Sequence, residues 1–286
     1  PISGDLAALI ANAAATQQAA VISIGRQAGE GADRSSGKGD YLLGDDERAL
    51  IDAVSSAFHA QGKKVVVVLN VNGVIDTAQW SDKVDGILLA YMAGQETGHA
   101  VADVLSGAVN PSGKLAQSFP HSYASVPSAG TFPGEDTDGD GEPDDLYYNE
   151  GIYVGYRYYS TFEQAVSYPF GFGLSYTSFS YTSPAIASNT LASGAAGSLV
   201  LTATITNTGA VAGKEAAQVY VTAPEVKLKK PLIELKAFAK TAALEAVSYL
   251  TELTVKKRDV EWMIETAASL SLDAQYRFDQ FKSKPD

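Results

Sequence analysis

Val65-Val66-Val67-Val68-Leu69 is the stretch that most narrows what this chain can become. Five apolar residues follow one another, and the four valines are β-branched, so extended backbone is favoured. No polar position alternates with them to face water. Such a run reads as a strand buried on both faces, the habit of parallel sheets covered by helices. Two further runs repeat the theme, Ala20-Val21-Ile22-Ser23-Ile24 and the segment from Gly86 to Tyr91. Helical stretches lie between them. Leu6 to Ala15 is rich in alanine, a strong helix former. Asp45-Asp46-Glu47 places acid where a helix dipole favours it, and Leu50, Ile51, Val54, Ala57 and Phe58 continue at helical spacing until Gly62. Glu96 to Leu105 is a third helix, with Gly107 after it. Strands and helices in this order predict an α/β sandwich, a mostly parallel sheet with flanking helices.

The pattern changes further on. Asn110-Pro111-Ser112-Gly113 is a turn by composition. Phe119 to Tyr181 is irregular and crowded with Tyr, Pro and Gly, as a loop wrapping a domain surface would be. Leu199 to Ile205 and Ala217 to Val221 are β-rich, and Asn207-Thr208-Gly209 between them reads as a hairpin turn. Phe238 and the Leu250 to Val255 segment continue the pattern. Short strands with turn signals predict an all-β sandwich. The expected division is residues 1–183 for the α/β domain, Tyr-rich loop included, and 184–286 for the β-sandwich. Glu261 to Asp286 carries no clear pattern. Pro1 to Ala20 reads as a helix feeding a strand with no start Met, as in one portion of a longer polypeptide.

Charge and composition exclude several classes. The net charge is −12, which repels a nucleic-acid backbone. No apolar run approaches the roughly 20 residues a membrane helix needs. The absence of cysteine removes disulfides, thiolate catalysis and zinc–sulfur sites. His59, His99 and His121 are far apart and match no metal spacing. Trp80 reads as core.

One acidic residue stands in a different setting. Glu30 lies between Gly29 and Gly31 in the loop that leaves the first strand. Glycines allow a loop to present the carboxyl group at its tip, and ligands bind at the carboxyl ends of strands in open α/β sheets. Two readings are open, a general acid/base and a solvated loop glutamate. Asp33 with Arg34, and Lys38 with Asp40, read as ion pairs ordering this loop. Glu96 is a second carboxylate, placed to compensate its helix dipole.

The words around Glu30 occur here in one order: GEGADRSSGKGDYLLGDDE, QGKKVVVVLNVN, DGILLAYMAGQETGHAVADVLSGAVNPSGKL, SFP, TFPGE, YYNEGIYVGYRYY and YPFGFGLSYTSFSY. Together they resemble the second and third domains of family 3 glycoside hydrolases, especially bacterial β-glucosidases, from the first residues to about Phe238. The resemblance implies an α/β sandwich followed by a fibronectin type III-like domain. It implies that Glu30, matching the Glu of the family's GEGxDR word, is the catalytic acid/base of a retaining β-glucosidase. The nucleophilic Asp would come from a (β/α)8 barrel that this chain lacks, so the implied partners are that barrel and a β-glucoside, with no organic cofactor. A β-xylosidase of the same family and a non-catalytic carbohydrate-binding or scaffolding module are the alternatives, and a homodimer is compatible. The family's Pro-Gly-Glu turn is missing, since Ala242 to Ala246 holds neither Pro nor Gly. The strands after Trp262 match poorly. Asn149, Glu150 and Arg157 read as residues that order their loop, and the Tyr cluster at 147–159 as packing it down.

A second signal is the loop DTDGDGEPDD. Asp136, Asp138, Asp140 and Asp144 occupy the first, third, fifth and ninth positions of a calcium loop, with Gly141 at its turn. Tyr147 stands where such a loop carries its bidentate Glu. A Ca2+ site and a solvated acidic loop are both open readings.

Overall fold

A computed structural model describes residues 3–27, 33–141, 143–186, 198–222, 229–245 and 248–256. Glu30 and Glu142 lie outside the described residues, as do Glu261 to Asp286. The chain forms two compact units that interleave along the sequence. One comprises Pro1–Leu105, Phe119–Tyr147 and Ala165–Tyr168; the other Ser106–Ser118, Tyr148–Gln164 and Pro169–Asp286.

The first unit holds the parallel sheet. Strands β1 (Ala19–Gly25), β2 (Lys64–Asn70) and β3 (Gly86–Leu89) lie in the order β1-β2-β3. Ile24 pairs with Leu69, and Leu69 with Leu89, so the three strands end at nearly the same level. Helix α1 (Gly4–Thr16) is capped by the Ser3 hydroxyl, which accepts from the Leu6 N–H. At its other end Lys63 Nζ donates to the Ala14 carbonyl at 2.6 Å, a cation on orphan carbonyls. Helix α2 (Asp45–His59) buries Ile51, Val54 and Phe58. These join Ile10 and Ala14 of α1, Ile22, Ile24, Val65, Val67 and Leu69 of the sheet, and Trp80, in one core. Each fully buried side chain of this size contributes about 1.5–3 kcal/mol of hydrophobic stabilisation. Trp80 is 2% exposed, as its sequence context predicts, and its indole Nε1 donates to the Asp76 carbonyl.

Burial corrects one expectation. Strand β2 is near-continuously buried, but β1 alternates, with Ile22 and Ile24 inside and Val21 57% exposed. Helix α3 (Thr97–Ser106) has no buried residue. The short strands β4 (Phe119–Pro120) and β5 (Val166–Tyr168) pair antiparallel, with the Phe119 and Tyr168 rings edge to face.

The second unit is antiparallel. Strands β6 (Phe179–Ile186), β7 (Ser198–Asn207) and β10 (Ser248–Lys256) form one sheet in the order β10-β7-β6. Strands β8 (Ala216–Val221) and β9 (Glu234–Lys240) form another. Strands β7 and β8 therefore lie in different sheets, and Asn207-Thr208-Gly209 is a crossover, not the expected hairpin turn. The position expected to divide the domains, 183/184, falls inside β6.

Residues 148–164 also pack here, with helix α4 (Tyr156–Thr161). The Tyr156 ring stacks on Phe170 at 4.4 Å and meets Tyr220 edge-on. Its hydroxyl accepts from the Leu235 N–H at 2.7 Å, while Thr161 Oγ1 accepts from Leu232 N–H at 2.9 Å. Tyr156 packs its segment against Phe170 and the β8–β9 ribbon, whereas Tyr147 and Tyr148, also expected to pack the loop down, are exposed.

Candidate functional site

The carboxyl end of β1 is built around a buried arginine. The Arg26 N–H donates to the Asn70 carbonyl and extends the β1–β2 ladder by one residue. Its side chain then turns back. Nη1 and Nη2 grip Glu47 Oε1 and Oε2 at 2.7 Å each, Nε donates to the Asp40 carbonyl at 2.8 Å, and Nη1 also reaches the Gly25 carbonyl. Arg26 is only 7% exposed. A buried guanidinium is tolerated because the carboxylate and carbonyls replace its water. The Arg26 hydrogen bond, with a further one from the Gly44 N–H, holds the Glu47 carboxyl below the usual glutamate range against the opposing effect of burial.

Arg34 follows Glu30 by four residues in the sequence. Its Nε meets Asp40 Oδ1 at 2.6 Å and its Nη1 donates to the Val74 carbonyl at 2.9 Å. Asp40 Oδ2 accepts from the Ser35 N–H. The expected ion pairs are therefore corrected. Arg34 takes Asp40 instead of Asp33, and Lys38 takes Asp45 at 2.7 Å. Salt bridges follow distance in space, and Asp40 is brought back by the turn at Gly39, where φ is +85°. Arg26 carries no expectation from the sequence, and Glu47 only that of compensating its helix dipole. An arginine directly after a buried strand and an acid in the first turn of the next helix were the available signal.

The Asp76 N–H donates to the Tyr41 carbonyl at 2.8 Å, and Asp76 is 2% exposed. Burial pushes its carboxyl above the ordinary aspartate range, while the N–H groups of Ala78 and Gln79 and the Arg48 charge pull the other way. Glu96 is exposed and pairs with His99 at 2.6 Å. His59 pairs with Asp85, which also receives Lys64 and the Val65 N–H. Burial works against the charged form of Asp85, but these donors together hold its carboxyl well below the usual range. In the second unit the Arg157 guanidinium lies 5.6 Å from the centre of the Tyr156 ring.

The acidic loop folds on itself. An antiparallel bridge between Glu135 and Asp145 closes it. Asp136 accepts the N–H groups of Gly139 and Gly141, Asp138 that of Asp140, and Asp144 the N–H and hydroxyl of Thr137. The Thr137 bonds hold the Asp144 carboxyl below its ordinary range. Asp136, Asp138 and Asp144 bring carboxylate oxygens within 4.8 Å of one another, all exposed. Asp140, the fourth predicted ligand, is not in that group. Three exposed carboxylates at this spacing fit a hard cation, with the remaining positions of its shell open to water and backbone oxygen.

Among the described residues no helix is long and apolar enough to cross a membrane. The family model described as the glycosyl hydrolase family 3 C-terminal domain matches residues 5–176. A second, the N-terminal domain of the cytosol aminopeptidase family, matches residues 234–285. Among curated relatives, β-glucosidase A of Butyrivibrio fibrisolvens is 36% identical over 274 residues, covering 83% of this chain and 32% of that protein. An exo-alpha-(1->6)-L-arabinopyranosidase of Bifidobacterium longum is 43% identical over 192 residues, covering 67% of this chain and 23% of that protein. The structure of β-glucosidase 3B from Thermotoga neapolitana in complex with glucose aligns with a TM-score of 0.83 and 48% identity, over 89% of this chain and 34% of that one. The chain thus spans about a quarter to a third of the length of these relatives.

Proposed function

The chain belongs to glycosyl hydrolase family 3 through its C-terminal domain, and on that premise we propose that it supplies the general acid/base of a retaining β-glucosidase. Its substrates are terminal, non-reducing β-D-glucosyl residues of cello-oligosaccharides or of aryl and alkyl β-glucosides. The observation that carries the reading is the family match across residues 5–176, which contains Glu30, five residues along the sequence from the end of a parallel strand.

The chemistry divides between two carboxyl groups. A barrel Asp, outside this chain, attacks the anomeric carbon and forms a glycosyl-enzyme bond. The Glu30 carboxyl gives its proton to the departing alcohol oxygen. The ionised Glu30 then takes a proton from water as that water attacks the anomeric carbon and releases the nucleophile. Retention of configuration demands the two carboxyl groups at about 5–5.5 Å. No organic cofactor enters the scheme. The antiparallel unit is read as fibronectin type III-like, and the triad Asp136, Asp138 and Asp144 as a Ca2+ site.

Glucose is the favoured sugar because most of the named relatives are β-glucosidases. A relative named for an arabinopyranoside is nevertheless 43% identical to this chain. Sugar choice therefore rests largely with residues of the barrel. The experiment replaces Glu30 with Gln in the barrel-bearing enzyme. Poor alkyl leaving groups need the proton and activated aryl ones do not. A loss on alkyl glucosides at least tenfold greater than on activated aryl glucosides supports the acid role, and equal losses refute it. If this chain and the barrel together cleave no glycoside, the non-catalytic module is the correct reading.

A further inference from the structure

We propose that Tyr91, with Met92, Asn70 and Asn72, forms a contact for a sugar leaving group at the carboxyl end of the parallel sheet. The inference rests on the β-glucosidase reading and names residues for the part of the substrate that departs. All four residues belong to the first unit.

The starting observation is the backbone of Tyr91. Its φ is +51°, in the left-handed region. Residues with a Cβ are uncommon there, and a bulky ring is less at home than Asn or Asp. Two other non-glycines among the described residues share such an angle, Glu163 and Ser183. Of the three, only Tyr91 follows the carboxyl end of a parallel strand, where open α/β sheets bind their ligands.

The angle is held from both sides. The Ala90 N–H donates to the Leu69 carbonyl at 2.9 Å, carrying the β2–β3 ladder one residue past β3. Thr97 Oγ1 donates to the Gly94 carbonyl at 2.6 Å, where the loop enters α3. Backbone strain persists when its surroundings fix it in this way, and ligand sites are where such strain collects.

The side chains at this end of the sheet suit a carbohydrate. Leu69 pairs with Leu89, so Asn70 and Tyr91 follow the same rung of the ladder by one and two residues. Asn70 and Asn72 are exposed. A primary amide both donates and accepts, which matches the hydroxyls of a sugar. Tyr91 is partly buried and Met92 is 59% exposed, so an aromatic ring and a flexible thioether add apolar surface. A pyranose has C–H groups on its faces and hydroxyls around its rim, and it uses both kinds of contact. A methyl leaving group uses neither.

The experiment uses the barrel-bearing enzyme with cellobiose and methyl β-glucoside. Both leaving groups are poor alcohols, so their demand for a proton is alike. The variants are Tyr91→Gly, Tyr91→Ala, Tyr91→Phe and Asn72→Ala, with Glu30→Gln as the reference. Tyr91→Gly should lower kcat/KM on cellobiose by roughly tenfold, the worth of one aromatic contact, chiefly through KM. On methyl β-glucoside it should fall far less. Tyr91→Phe keeps the ring and should keep most of the cellobiose rate. Asn72→Ala should show the same selectivity at smaller size. Gly and Ala both remove the ring, but only Gly takes a positive φ without a Cβ, so Tyr91→Gly should melt above Tyr91→Ala. Tyr91→Ala melting as high as Tyr91→Gly overturns the strain argument and the proposal built on it. Equal losses on the two substrates, or none, in Tyr91→Gly and Asn72→Ala, while Glu30→Gln slows both substrates, overturn the leaving-group contact alone. A Glu30→Gln enzyme as fast as the parent overturns the acid reading alone. An enzyme that cleaves neither substrate overturns the β-glucosidase reading and the contact with it.

Discussion

Asn207 Nδ2 donates to the Leu244 carbonyl oxygen at 2.7 Å, tying the last residue of β7 to the segment that follows β9. The same amide nitrogen reaches the Val211 carbonyl, and Oδ1 accepts from Thr177 Oγ1 and the Gly209 N–H. All four hydrogen-bonding positions of one side-chain amide are used, at a residue 3% exposed. Asn207→Ala strands several buried partners and should lower stability by about 2–4 kcal/mol in chemical denaturation. Asn207→Asp keeps both acceptor contacts but loses the two donors, so it should rescue little of that loss.

Gly213 lies in the same knot. A Cβ there would stand 2.8 Å from both Asn110 Nδ2 and Thr177 Cγ2. Asn110 cannot retreat without releasing its bonds to Ala212, Ser175 and Tyr176. Gly213→Ala should therefore destabilise by roughly 1–3 kcal/mol as an overpacking change. A denaturation midpoint equal to that of the parent would contradict this packing account.

Asp76 predicts a pH dependence of a particular sign. Burial raises its folded pKa above the unfolded value, so ionisation is harder in the folded protein. That is a cost to stability at pH above the folded pKa, and it fades as pH falls below the ordinary aspartate range. Asp76→Asn keeps an acceptor for the Ala78 and Gln79 N–H groups without the buried charge. Its melting temperature at neutral pH should equal or exceed that of the parent, and the difference should vanish in acid. Asp76→Ala, which offers those donors nothing, should melt lower at every pH. Scanning calorimetry across pH reads both.

Calcium at the acidic loop would show as linkage. A ligand present at 100 times its dissociation constant adds about 2.7 kcal/mol to stability. Melting should rise when calcium replaces chelator, and Asp136→Asn or Asp144→Asn should abolish the rise. Asp140→Asn should matter less, because Asp140 stands outside the close triad. An unchanged melting curve would leave a self-hydrogen-bonded acidic turn.

The sequence alone determined the elements whose signal is local. Consecutive valines marked β2, acid followed by helical periodicity marked α2, and Gly62 marked where that helix stops. The spaced aspartates marked a loop that does gather three carboxylates. Backbone period and capping act over a few residues, so they can be read in order along the chain. Tertiary structure decided the partners. Arg34 chose Asp40 over its sequence neighbour, Asn207 became a crossover knot and not a hairpin turn, and residues 148–164 joined the antiparallel unit. Charges and amide groups interact through space and do not register sequence separation. Only the folded path shows which of several candidates has been brought within 3 Å.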